Sequence, residues 1–195
     1  MASIGYIPFP QISFEEYLEK CARIEEKLEF LHGVVYAMAG GSREHSWICG
    51  KLITALNNGL KGKSCYVLTS DTMVETPNQE ASFYPDVSVF CGPKLGVGSV
   101  SVSSPILVIE VLSRSTRNYD LSQKLQQYQR IAALRHILYV DSAGVGIQLY
   151  SRGDGELWPA SPTTLDQRED LVSLEALGLS FRLDEVYGDL EFPAA

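Results

Sequence analysis

The chain has 195 residues, of which 45% are hydrophobic and 21% charged, with a formal net charge of −8 at pH 7. That size and apolar share suit one compact domain over residues 1–195 and exclude a chain dominated by disorder. The acidity argues against a generally basic nucleic-acid binder. The start MASIGYIPFP has neither a basic stretch nor an apolar run, and nothing approaches the roughly 20 apolar residues that span a bilayer, so a soluble, cytoplasmic protein without a membrane partner is the default.

The charge is uneven along the sequence. Residues 1–42 carry 3 Lys+Arg and 6 Asp+Glu, residues 43–135 carry 10 and 7, and residues 136–195 carry 3 and 11, which leaves the middle at +3. A polyanion can approach that middle region, although so small an excess does not demand one. Cys21, Cys49, Cys65 and Cys91 lie 28, 16 and 26 positions apart. With no CxxC pair and no clustered histidines, a zinc site has little support, and reduced, mostly packed thiols are expected.

In chain order, Ser13 followed by Glu16 forms a capping-box pattern that opens a helix from about Phe14, with Phe14, Tyr17, Leu18, Cys21 and Ile24 as its apolar stripe. LEFLHGVVYAM predicts a hairpin turning at His32-Gly33. A second helix, capped by Ser42, ends near Gly59 and carries Trp47, Ile48, Leu52, Ile53, Ala55 and Leu56 on a wide apolar face. SCYVLTS, DTMVET and FYPDVSVFC read as three strands, and a Gly/Ser-rich loop over 96–104 leads into SPILVIEVLSRST, a strand covered on both faces. YDLSQKLQQYQRIAAL predicts a third helix, with Leu121, Leu125, Tyr128 and Ala132 on its apolar side. HILYVD pairs with VGIQLYSR through SAGVG, and the tail reads as a strand pair or turn followed by a short helix from about Leu183. From residue 43 the order is helix, three strands, helix, strand: a mixed α/β sheet flanked by helices, decorated by the N-terminal helix and hairpin and by C-terminal strands.

Some polar residues resist this packing scheme. Glu110 interrupts an otherwise β-branched or leucine run, where an unpaired carboxylate costs several kcal/mol. Asp86 follows Tyr84-Pro85 at the start of DVSVF. If the two strands are neighbours, both carboxylates reach one edge of the sheet, and a hard divalent ion relieves their repulsion. Lys124, between Leu121 and Tyr128, borders the buried helix face, where its ammonium reaches the acids and stabilises charge in phosphodiester hydrolysis. Plainer readings stand beside these: an Asx turn for Asp86, an ion pair of Glu110 with Arg114 or Arg117, and a Lys124 head that reaches water.

These residues, in this order, resemble the PD-(D/E)XK nuclease superfamily. More closely, LEFLHGVVYAMAGGSREHSWICGKL, YPDVSVFCG, SPILVIEVLSRSTRNYDLSQKLQQYQRI and HILYVD are similar to a bacterial restriction-endonuclease-like domain family abundant in cyanobacteria, from about Phe14 to Tyr187. The resemblance implies a restriction endonuclease-like core over about 43–141. It maps Pro85-Asp86 and Glu110 onto the signature acids, while Leu112 stands where the simple signature carries lysine and Lys124 matches the alternative position in the following helix. It also matches His45 and Glu29 to residues frequent in the family. A magnesium ion on Asp86 and Glu110, with manganese as substitute, and DNA as substrate are then expected, with Lys124 assisting the water and His45 and Glu29 shaping the site. Glu29 as a strand-edge ion pair and His45 as an ordinary helix N-terminal residue are the plainer accounts. Asp71 is either a further acid or the start of a turn, Ser113, Ser115 and Thr116 are expected to bond the backbone, and Tyr128 and Tyr139 are expected in the core. A homodimer, a catalytically weak binding or assembly module, and a hydrolase of another phosphate ester stay open.

Overall fold

A computed structural model describes residues 5–6, 11–38, 40–93, 98, 101–113, 117–153 and 157–192. The first helix, α1 (Phe14–Cys21), carries the expected capping box, with Ser13 and Glu16 satisfying each other's backbone N–H, and it buries Phe14 and Tyr17. The Tyr17 hydroxyl donates to the Leu28 carbonyl at 2.7 Å and so fastens the helix to the following strand. The hairpin of β2 (Leu28–Leu31) and β3 (Val34–Ala37) turns at His32 and Gly33, with φ of 48° and 88°. Two successive positive φ values match the right-handed twist of the strands, and a Cβ at Gly33 would meet Gln11 at 3.1 Å. Helix α2 (Arg43–Gly59) starts at its Ser42 cap and buries Ile48, Leu52 and Leu56.

Two six-stranded sheets form the frame. The first joins β1 (Gly5–Tyr6), β3, β2, β6 (Ala81–Phe83), β5 (Met73–Glu75) and β8 (Ser101–Val102) in that order. The second runs β12 (Thr163–Leu165), β11 (Ile147–Ser151), β10 (His136–Asp141), β9 (Leu107–Leu112), β7 (Val87–Cys91) and β4 (Cys65–Thr69). Strand β9, buried at every position, pairs in parallel with β10 and antiparallel with β7. Its alternation sends Leu107, Ile109 and Val111 into the cluster with α2, and Val108 and Leu112 into the cluster with Tyr128 and Ile131. Glu110 shares the parity of this second set. The tail forms β13 (Leu171–Leu174) and β14 (Leu179–Arg182), then α5 (Leu183–Tyr187), as expected.

Four expectations are corrected. FYPDVSVFC is two strands in different sheets, because Pro85 has no N–H for a ladder and the chain crosses from β6 to β7 at Tyr84-Pro85-Asp86. The stretch expected as a Gly/Ser-rich loop contains β8, parallel to β5. Cys65 and Cys91 are not reduced: the β4–β7 register sets them opposite each other and they form a disulfide, while Cys21 and Cys49 are free thiols. The third helix begins at Arg117 and ends at Tyr128, short of Ala132. It consists of α3 (Arg117–Tyr119), a π-helical stretch (Asp120–Lys124) and α4 (Leu125–Tyr128). Its buried residues are Asp120, Lys124, Gln127 and Tyr128, while Leu121 and Leu125 are only partly covered. Arg114, Ser115 and Thr116 lie outside the described residues. Among those described, no helix is long and apolar enough to cross a membrane.

His136 at the start of β10 ties the second sheet to the C-terminal strands. Its Nδ1 lies 2.9 Å from Ser151 Oγ, and its Nε2 accepts from the Ala176 N–H at 3.2 Å. Burial, with the adjacent Arg135 charge, lowers this imidazole to about 4 from an ordinary 6.5, so it folds neutral. A histidine whose folded value is depressed stabilises fully above the unfolded value and loses that contribution as pH falls from about 6.5 to about 4. Chemical denaturation across that window is expected to show a loss of about 1–3 kcal/mol in the parent that is absent from His136→Gln. Equal pH slopes in the two proteins would refute this role.

Candidate functional site

Glu110 lies in the middle of a paired strand, and the structure supplies the partner that its burial requires. Lys124 Nζ stands 3.1 Å from Glu110 Oε1, 2.8 Å from Glu29 Oε1 and 3.3 Å from Asp120 Oδ1. The exposures of Glu29, Glu110, Asp120 and Lys124 are 3%, 3%, 4% and 4%, so the reading of Lys124 as a head reaching water is excluded. The Tyr128 hydroxyl donates to Glu110 Oε1 at 2.7 Å, which makes this tyrosine a polar anchor as well as core, and the Tyr84 N–H donates to Glu29 Oε1 at 3.2 Å. The rings of Phe83 and Tyr119 face the ammonium at 5.5 Å each.

The π-helical stretch explains how the helix reaches the acids. In an α-helix, side chains four apart advance by about 40°, so Asp120 and Tyr128 would drift apart by about 80°. The wider π turn takes back part of that drift, and Asp120, Lys124 and Tyr128 all face the buried acids. Asp120 and Tyr128 were missed as site residues. Their spacing of four from Lys124 was the available signal, but it was hidden by the leucine stripe beside it.

Asp86 stands one residue before the Val87↔Ile109 pair, at the N-terminal end of β7, and its carboxylate and that of Glu110 line one cleft. Its Oδ2 accepts from the Val111 N–H at 2.7 Å, a contact between strands and not an Asx turn, and lies 3.2 Å from His45 Nε2. His45 stands in the first turn of α2, its backbone N–H bonded to Ser42 Oγ at 3.2 Å and its Nδ1 3.7 Å from Cys49 Sγ. Gly41 leaves room for the ring: a Cβ there would lie 2.6 Å from His45 Nδ1.

The electrostatics follow from these contacts. The hydrogen bond to Asp86, then that to Cys49, raises His45 to about 10 against its burial, so the imidazole is charged at neutral pH. Burial pushes Glu110 well above the usual carboxylate range. Lys124 opposes this shift, and Asp120, Asp86 and Glu29 add to it. Glu29 is raised by burial against Lys124. Burial alone would lower Lys124, but Glu110, Glu29 and Asp120 carry it well above its ordinary value.

All five residues singled out in the sequence converge on this region. His45, Asp86, Glu110 and Lys124, with Asp120 and Cys49, line one open cleft of about 700 Å³, and Glu29 lies behind Lys124. Asp71 is a turn residue paired with Lys27 at 2.6 Å. Arg117 pairs with Asp141 and not with Glu110. Tyr139 is core, its hydroxyl without a hydrogen-bond partner among the described residues. Around the site, four carboxylates (Glu29, Asp86, Glu110, Asp120) face two cations (Lys124, His45), and the excess negative charge on oxygen donors fits a hard divalent cation at Asp86 and Glu110.

Replacing Lys124 by methionine is expected to cost about 3–5 kcal/mol at neutral pH, because it leaves buried carboxylates without their cation. Glu110 and Glu29, raised further still, then take up protons on folding, so the deficit should narrow as pH falls. Denaturant midpoints of parent and Lys124→Met measured across pH check this, and equal stability at neutral pH would contradict it.

The model of the Uma2 family, described as "Putative restriction endonuclease", matches residues 14–184. An uncharacterised protein of Synechocystis sp. is 39% identical over 185 residues, covering 95% of this chain and 96% of its own length. A second is 30% identical over 145 residues, covering 73% and 82%. The crystal structure of a putative nuclease of the DUF820 group from Anabaena variabilis superposes with a TM-score of 0.71 at 16% identity, covering 91% of this chain and 98% of that one. The last likeness is one of fold, the mixed α/β architecture of a restriction endonuclease-like protein.

Proposed function

The chain belongs to the Uma2 family, and on that premise we propose that it is a metal-dependent endonuclease hydrolysing phosphodiester bonds in DNA. Asp86 and Glu110 would hold magnesium, with manganese as a substitute. When bound, the ion polarises the phosphate and activates the attacking water.

The remaining work falls to the chain's own groups. The Val111 N–H and His45 Nε2 fix Asp86 Oδ2, and Tyr128 fixes Glu110 Oε1, so neither carboxylate has to be ordered when the cation binds. Lys124, held charged by Glu29 and Asp120, presents an ammonium beside Glu110, where it orients the water and offsets negative charge gathering on the phosphate oxygens. Glu29 acts through Lys124 and is a positioning residue. The observation that carries the reading is the buried ammonium 3.1 Å from Glu110, in a cleft that also holds Asp86.

Supercoiled, linear and single-stranded DNA incubated with magnesium or manganese are expected to be cleaved. Glu110→Ala and Lys124→Ala should lower the rate by about 10²-fold or more. Because Lys124→Ala also weakens folding, Glu110→Gln, which keeps the side-chain volume, serves as the companion variant, with folding of each checked by circular dichroism. Undiminished cleavage in the variants would overturn the mechanism, and absence of cleavage of every DNA form in the parent would overturn the substrate.

A further inference from the structure

The metal pair just described uses His45 only as a partner of Asp86 and does not use Cys49. Yet His45 and Cys49 are four positions apart on α2, one turn above each other on the same face, and both look across at Asp86. One ligand atom from each of His45, Cys49 and Asp86 lies within 4.8 Å of the other two. Two contacts are already close: 3.2 Å from His45 Nε2 to Asp86 Oδ2, and 3.7 Å from His45 Nδ1 to Cys49 Sγ. Those two contacts use different nitrogens of one ring, of which an ion takes a single one, and ligand atoms around a tetrahedral ion stand roughly 3.3–3.8 Å apart, so from separations of up to 4.8 Å the side chains draw together by about 1 Å to complete the set.

The donors differ in kind from those of the magnesium pair. A thiolate, an imidazole and one carboxylate suit zinc, and a sulfur ligand selects against magnesium. All three line the open cleft, where water can supply a fourth ligand. We propose that His45, Cys49 and Asp86 form a binding site for a thiophilic divalent transition ion of the zinc type, and that its occupancy withdraws Asp86 from the magnesium pair and arrests cleavage. The first half stands on the geometry of the three side chains; the second rests on the nuclease reading above. On binding, the thiol and the imidazolium each release a proton to solvent, and sulfur, nitrogen and oxygen each donate a lone pair to the ion.

Cobalt(II) titration of the intact protein, with its Cys65–Cys91 bond in place, reads the site without any nuclease activity. A near-ultraviolet thiolate-to-cobalt band should saturate at one equivalent, vanish on addition of zinc, persist in Glu110→Gln and be absent in Cys49→Ser. No band in the parent, or an equal band in Cys49→Ser, overturns the site. In the parent alone, where folding of a variant is not at issue, zinc should slow alkylation of Cys49 by about tenfold or more and leave Cys21 unchanged. Equal protection of neither or both thiols counts against the site. Each cleavage rate is taken relative to the same protein's zinc-free magnesium rate. Zinc should lower the parent's rate by about tenfold or more, and that of Cys49→Ser by less than about twofold. Equal inhibition of the two overturns the regulatory half. A parent that shows the cobalt band but cleaves no DNA keeps the ion site and refutes the nuclease reading, and a cleaving parent without the band does the reverse.

Discussion

One ammonium group, Lys124 Nζ, sits out of water among carboxylates from β2, β9 and the π-helical stretch. These elements belong to the first sheet, the second sheet and the helix, the same three parts that one apolar cluster with Phe83, Val108 and Tyr128 brings together, so the charge cluster sits where both sheets and the helix meet. Such a cluster is tolerated only when complete, because removing any member leaves charge in a medium that solvates it poorly. The arrangement therefore constrains the frame around it as much as the frame holds it.

The crossing at Tyr84-Pro85-Asp86 shows how the constraint is met. Where Pro85 interrupts the ladder, the chain leaves the first sheet for the second, and the residues on either side become ligands to the site: the Tyr84 N–H bonds Glu29 and Asp86 bonds the Val111 N–H. A feature that costs a ladder hydrogen bond thus carries the two acid groups of different sheets toward one cleft. On the far side, α2 delivers His45 from its first turn, next to a glycine without which the imidazole would have no room.

What could be read from the sequence was what local chemistry dictates. The capping box at Ser13, the His32-Gly33 turn, the β10–β11 pair and the helix from Leu183 each depend on neighbours within a few positions. Glu110 was visible as a carboxylate in an apolar run, and Asp86, Lys124, His45 and Glu29 were legible through family resemblance more than through pattern. Register and face are set by distant partners, and these stayed hidden. No local signal places Cys65 opposite Cys91, and Pro85 within its strand and Asp120 four positions before Lys124 mark a break and a shared face without saying which sheet or which acids they lead to. Two cysteines 26 positions apart become neighbours only once β4 and β7 are paired.

The π-helical stretch has a further consequence, for how this chain can vary in length. Surface helices commonly absorb a gained or lost residue by shifting their exposed face, but here the widened turn is what keeps Asp120, Lys124 and Tyr128 in line. Deleting one residue between Asp120 and Lys124 would restore an ordinary α ladder in which Lys124 follows Asp120 by three residues, about 60° round the helix from it, while Tyr128 keeps nearly its own heading, so the lysine and this carboxylate lose their common line. Relatives that keep this cluster must therefore keep the local residue count even where they change the residues, and an aligned gap at this point would mark a protein whose cleft works differently.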